Sequence, residues 1–334
     1  MKSQSSHLNS RRGYKPIAAL ITALALTATL KVQAASQTWT NAPATAEWTN
    51  VLNWIAMAVP GSLNPAANSL SGDTVTFSNA LSGGIGGSAN PIVNDTNRDV
   101  KFILFDSANC GSYVVGNVDS NVLQVTSTTY PGGNVTVNPT VVNPQVIRAP
   151  IYTRLASSSS GGFSFINNST TPTATLTIAN VTNSSANSRP MTIFLDGSNT
   201  GANTLAHIGD NNGANGAILV TKQGAGRWIL SGANDLPQKT STPTVGSGVA
   251  AVSVNVGTLE VQDPGSLGAI TLANLVVQTN GTLQIDGVTL NNNGITLKNS
   301  GTIRMNGSGT VNSVALGTAA ASSMTLATTP RVIF

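Results

Sequence analysis

The chain predicts an all-β solenoid, in which short strands wind into coils that stack on one another. Three observations lead there. A glycine-led unit recurs towards the C-terminus as Gly257-Thr258-Leu259-Glu260-Val261, Gly281-Thr282-Leu283-Gln284-Ile285 and Gly301-Thr302-Ile303-Arg304-Met305, with a worn copy at Gly309-Thr310-Val311. The first three copies start 24 and 20 residues apart (281 − 257 and 301 − 281). That interval suits one coil of a repeat whose units bury their apolar edge only against the next unit. Finally, only 8% of residues are charged while short Val/Ile/Leu runs recur, and no helical period is visible after residue 34.

Residues 1–34 stand apart from the rest. Lys2, Arg11, Arg12 and Lys15 precede an apolar stretch from Ile17 to Leu30, followed by Val32-Gln33-Ala34 and Ala35. Basic, then apolar, then small is the order of a secretory signal peptide. The apolar stretch holds 14 residues (30 − 17 + 1), short of the roughly 20 that cross a bilayer. The expectation is therefore a cleaved signal and an exported chain, with no permanent membrane span after cleavage. Ser10-Arg11-Arg12-Gly13-Tyr14-Lys15 also resembles a twin-arginine export signal, without the usual second hydrophobic residue after the arginine pair.

The signal also carries the charge imbalance. Five of the 16 basic residues and none of the 12 acidic ones lie in residues 1–34, which leaves 11 against 12, a formal charge of −1. The basic whole-chain balance is thus no argument for a nucleic-acid partner. The single cysteine, Cys110, rules out an intrachain disulfide framework and reads as a small buried apolar residue.

Residues 35–80 read as a short N-terminal β cap. They hold Trp39, Trp48 and Trp54, then Val59-Pro60-Gly61, and end Gly72-Asp73-Thr74-Val75-Thr76-Phe77. Aromatics at strand positions with Pro-Gly turns suit a closure over a terminal coil, which would otherwise expose its core and unpaired edge. The rival reading is a sugar-stacking platform, which needs exposed, coplanar indoles.

Residues 81–334 read as the solenoid itself. Ser82-Gly83-Gly84-Ile85-Gly86-Gly87 is a loop: no lysine follows at phosphate-loop spacing, and it lacks the aspartates of a calcium-binding nonapeptide repeat. Val100 to Asp106 reads as one strongly apolar strand, followed by short strands at 113–115, 122–125, 135–137 and 146–151. The Ser/Gly run at 157–162 is an insertion loop, after which strands resume at 163–166, 175–178 and 192–195.

In the C-terminal third, alternation with a period of two points Val252, Val254, Val256, Leu259 and Val261 inward, and Leu283/Ile285, Ile295/Leu297 and Ile303/Met305 likewise. Glu260, Gln284 and Arg304 then fall on the outward face as one solvated column. Corners need positive φ, which Gly and Asn tolerate; Asn280-Gly281, Asp286-Gly287, Asn306-Gly307 and the Asn291 to Gly294 run supply them. The same dipeptides would join antiparallel hairpins, but the 20-to-24-residue interval favours coils.

Residues 219–268 resemble the autotransporter-associated β-strand repeat of secreted and surface proteins in Gram-negative and related bacteria. The carrying residues are Leu219-Val220-Thr221-Lys222-Gln223-Gly224-Ala225-Gly226-Arg227-Trp228-Ile229-Leu230-Ser231-Gly232-Ala233-Asn234, then Val256 to Val261 and Gly265-Ser266-Leu267-Gly268. Asn234-Asp235-Leu236-Pro237-Gln238-Lys239 replaces the family's usual Asn-Thr-Tyr-Thr-Gly continuation. Trp48, Asn53-Trp54, Pro60-Gly61 and Gly72 to Phe77 look like the leader of large proteins bearing these repeats. The resemblance implies a right-handed parallel β-helix exposed outside the cell and implies no enzymatic activity. It also raises the question of an outer-membrane barrel; the stretch after Met305 is too short for one, so a truncated passenger or a short secreted relative is expected.

Chemistry-bearing residues are sparse. Beyond the signal the only histidine is His207, with no Gly-x-Ser-x-Gly elbow to support a triad, and it reads as structural or surface. Asp95, Asp99 and Asp106, beside Arg98 and Lys101, form the only local acidic cluster; a glycosidase-like site would need two or three such acids converging on a groove. No catalytic, cofactor-binding or metal-binding residue is assigned. The expected function is a passive structural or adhesive element at the cell surface or outside the cell, facing an unknown surface ligand such as a glycan or another cell. A secreted carbohydrate-binding module is the alternative, and a β-helix polysaccharide-degrading enzyme the weaker one.

Overall fold

The computed structural model describes residues 36–63, 72–117, 121–127, 132–155, 161–184, 191–210, 218–236, 251–268, 275–297, 301–307, 310–316 and 323–327. Residues 1–34, where the sequence suggests a signal peptide, the 237–250 stretch, most of the 157–162 loop and the C-terminal Phe334 lie outside them. Within the described residues the chain is a β-solenoid. Its strands lie in an 18-stranded and a six-stranded sheet, and the only helical element is a 3-10 turn at Val51–Asn53.

The coils stack because inward residues of successive coils pair directly. On the first face Val75, Ile103, Val135, Phe165, Leu195, Lys222, Val254, Val277, Leu297 and Leu316 follow one another in parallel register. On the second face the line is Val115, Ile147, Ile178, Leu205, Leu230, Val261, Ile285, Met305 and Leu326. A third face carries Leu123, Ile151, Val181 and Ile208. From Val75 to Met305 the side chains on these lines whose burial is described are apolar apart from Lys222, and the apolar ones belong to a single core. Each contributes roughly 1.5–3 kcal/mol of burial against an unfolded reference.

The coils shorten towards the C-terminus. Ile147 to Ile178 takes 31 residues (178 − 147), whereas Val261 to Ile285 takes 24 (285 − 261) and Ile285 to Met305 takes 20 (305 − 285). Two long strands, Val252–Val261 and Leu275–Asp286, each cover two faces in one run. The glycine-led units lie in register, with Gly257 against Gly281, Thr282 against Thr302 and Glu260 against Gln284 against Arg304. The antiparallel hairpin reading is therefore excluded here; among the described strands only Ser62–Leu63 pairs antiparallel, with Arg98–Val100.

Several local expectations need correction. The 100–106 run is not one strand: a corner at Lys101 separates Arg98–Val100 on the third face from Phe102–Phe105 on the first. The 146–151 run likewise divides into Gln145–Ile147 and Ile151–Leu155. Val256 is only partly buried, because the register slips between Val254 and Val256. Asn280-Gly281 is not a left-handed corner: Gly281 lies inside a continuous strand without positive φ, and a Cβ there would sit 2.1 Å from the Val254 carbonyl oxygen. Gly287 (φ 65°) and Gly307 (φ 75°) do take the left-handed conformation expected of them.

At the N-terminal end Trp39, Trp48 and Trp54 are buried and pack edge-on, with Trp39–Trp54 and Trp48–Trp54 centroids 5.0 and 5.1 Å apart. Phe77 continues the cluster towards Phe105 and Tyr113. Elsewhere the abundant asparagines serve inside the coils. Asn203, buried on the second face, donates to the Arg227 carbonyl at 2.9 Å and accepts from Asn167 at 2.6 Å, tying corner backbone across coils.

Candidate functional site

The third face carries a polar groove, built by strand register. Ile151–Leu155, Val181–Asn183 and Ile208–Asp210 stack in parallel, which puts Tyr152, Thr182 and Gly209 on one outward line. The residues just before these strands, Pro150, Asn180 and His207, make a second line beside it. Asp235 enters from the next coil: its N–H donates to the Ile208 carbonyl at 2.8 Å, as a residue seated above Gly209 does. Asn234 fixes that coil from within, accepting the Ile208 N–H at 2.7 Å and donating to the Ser266 carbonyl at 2.6 Å. Together these residues enclose about 300 Å³.

The imidazole of His207 is held in place. Its Nδ1 lies 2.7 Å from the Ala233 carbonyl oxygen, and a carbonyl only accepts, so Nδ1 carries the proton. In the neutral ring Nε2 is then an acceptor. Thr182 gives its hydroxyl proton to Asn180 Oδ1 at 3.0 Å, which leaves the Thr182 oxygen with lone pairs. Gly209 lacks the side chain its neighbours have, and a Cβ there would sit 3.1 Å from His207 Nε2 and 3.4 Å from Thr182 Oγ1. The result is a notch bounded by hydrogen-bond acceptors.

The acidic cluster singled out in the sequence does not converge. Asp95 accepts from the Thr49 N–H and hydroxyl, Asp99 from the Thr126 hydroxyl, and Asp106 from the Ser107 N–H and Asn138 at 2.9 and 2.8 Å. Arg98 is buried and donates to the Gly61 carbonyl at 3.0 Å and to Thr96 at 3.1 Å; burial lowers its pKa, against the opposing charge of Asp95. Each of these groups holds a different piece of backbone or a neighbouring coil. Cys110 is buried, and burial raises its thiol to about 12. Among the described residues no three His, Cys, Asp or Glu side chains gather to hold a metal ion, and no helix is long and apolar enough to cross a membrane.

Two polar residues of the repeat are more deeply engaged than the sequence suggests. Glu260 does not stand in a solvated column: it is 0% exposed. Arg227 donates to its Oε2 through Nε at 2.9 Å and Nη2 at 2.6 Å, Gln284 at 2.7 Å, and Gln262 reaches Oε1 at 2.6 Å. Lys222 occupies an inward position of the first face, also 0% exposed. Its ammonium donates to the carbonyls of Gln223, Gly224 and Val256 at 2.8, 2.7 and 3.1 Å, so it fastens a glycine corner to the coil above. The tryptophans offer no stacking platform, since Trp39, Trp48 and Trp54 are at most 1% exposed.

No family model matches this chain, and no curated protein or solved structure does.

Proposed function

We propose that the chain is an exported, non-catalytic β-solenoid that serves as a structural or adhesive element at the bacterial surface or in the extracellular space. One observation carries the reading. The most deeply buried charged side chains, Lys222, Glu260, Arg98 and Asp99, each bind backbone carbonyls, a hydroxyl or another side chain of the fold. They act as fasteners between coils. The basic-apolar-small order of residues 1–34 supports export. The in-register Gly-Thr units support the stacked repeat that the resemblance to autotransporter-associated repeats implies; from that resemblance we also propose a right-handed helix whose first coil the 35–80 segment closes.

Expression of the full chain in a Gram-negative host, with fractionation and mass spectrometry of the N-terminus, tests this. A mature chain starting near Ala35 or Ser36 in the envelope or medium supports export. An uncut chain retained in the cytoplasm overturns it. Adhesion is read in the same cells, as retention on a surface or clumping that an empty vector does not produce.

A further inference from the structure

The glycine at 209 leaves a notch on the outward side of the third face. It occupies an outward strand position where the coils below carry Tyr152 and Thr182. It does not take the left-handed φ that favours glycine. A Cβ there would meet the His207 ring, 3.1 Å from Nε2, and the Thr182 hydroxyl at 3.4 Å, so the missing side chain leaves both acceptors uncovered. Gly281, by contrast, would drive a Cβ to 2.1 Å from a backbone oxygen. Glycine inside a strand costs stability and marks a place where something approaches the backbone closely.

We infer that the groove over Gly209 binds a single hexopyranose ring, free or at the end of a glycan. The acceptors His207 Nε2 and Thr182 Oγ1 flank the notch, and the Asp235 carboxylate belongs to the same lining. Such a set selects a ligand rich in donors, as the hydroxyls of a sugar are. Among the described residues no lysine or arginine lines the groove, which disfavours phosphate or carboxylate ligands. A volume of about 300 Å³ is at the small end for ligand sites, room for one ring. This inference gives a ligand to the adhesive half of the proposed function. It is measured on purified protein, so it stands or falls apart from whether the chain is exported.

The test is saturation-transfer difference NMR on the purified chain with glucose, galactose, mannose and N-acetylglucosamine, each at about 10 mM, a range suited to millimolar affinity. A glycan array then separates free from terminal sugars. Transfer to at least one sugar is expected from the native protein. Gly209→Val, which fills the notch, and Thr182→Val, which keeps the shape but removes the hydroxyl oxygen, should each weaken binding roughly tenfold or more in protein that still unfolds cooperatively. Thr182→Val decides the matter if Gly209→Val does not fold. No transfer to any of the four sugars and no array signal would overturn the inference. So would a native-like signal in the folded variants.

Discussion

Lys222→Met separates the charge of the buried lysine from its bulk. In the native protein burial pushes the Lys222 ammonium down to about 8 from 10.5, with Asp196 opposing. Between those two values the unfolded chain holds a proton that the folded chain has released, so stability rises with pH. The gain is absent below pH 8 and complete above pH 10.5; at about 1.4 kcal/mol per pH unit it amounts to about 3 kcal/mol. Cys110, raised to about 12, and Tyr113, raised by burial, act in the opposite sense. Their unfolded forms lose protons first, so rising pH erodes stability through them. The quantity to measure is therefore the difference between native and Lys222→Met proteins, in which both cancel. Urea unfolding read by tryptophan fluorescence, from about pH 7.5 to about pH 10.5, supplies it. The native protein should gain about 3 kcal/mol on the variant across that range. A difference that stays flat with pH would refute the argument that Lys222 is a charged group buried against carbonyls.

Glu260→Ala removes the acceptor for Arg227, Gln262 and Gln284 and should cost about 3 kcal/mol, with a double-mutant cycle against Arg227→Ala showing strong coupling. Purely additive losses would mean the pair is not linked. Gly281→Ala and Gly287→Ala separate steric from backbone constraints. The first drives a Cβ to 2.1 Å from a carbonyl oxygen, and the second meets nothing but holds φ at 65°. Thermal denaturation should show Gly287→Ala losing about 1–2 kcal/mol and Gly281→Ala losing clearly more; the reverse order would contradict the register of these coils. Trp54 Nε1 donates to the Trp48 carbonyl at 2.8 Å, whereas buried Trp39 Nε1 has no acceptor among the described residues. Trp54→Phe should therefore cost about 1 kcal/mol more than Trp39→Phe in chemical denaturation, and equal costs would count against this arrangement.

Much of the solenoid was legible in advance because stacking depends on local periodicity. Leu259/Val261, Leu283/Ile285 and Ile303/Met305 each announce an inward pair, and the interval between them announces the coil. Where a coil turns was less legible. An apolar run such as Val100 to Phe105 satisfies a strand and a cornered strand equally well, and only the next coil decides that Lys101 is the corner. The period-two rule misplaced Glu260 because it sorts residues by face and takes the outward face for water; here Arg227, Gln262 and Gln284 close over it. Lys222 shows the converse. A lysine at an inward position has no meaning until three carbonyls from two coils surround it.

The groove lies furthest from what a linear reading could reach. Pro150 and Asp235 are 85 residues apart (235 − 150), and nothing in their local sequence signals a shared site. The sequence by itself determined the all-β character, the parallel stacking and the absence of a disulfide framework, because these follow from side-chain alternation, repeat interval and residue count. Only the tertiary structure decided which polar residues are buried, which glycines are steric and which residues share the third-face groove. Those outcomes depend on register between coils, and register is set by hydrogen bonds and packing between segments that are some 20 to 30 residues apart in the chain.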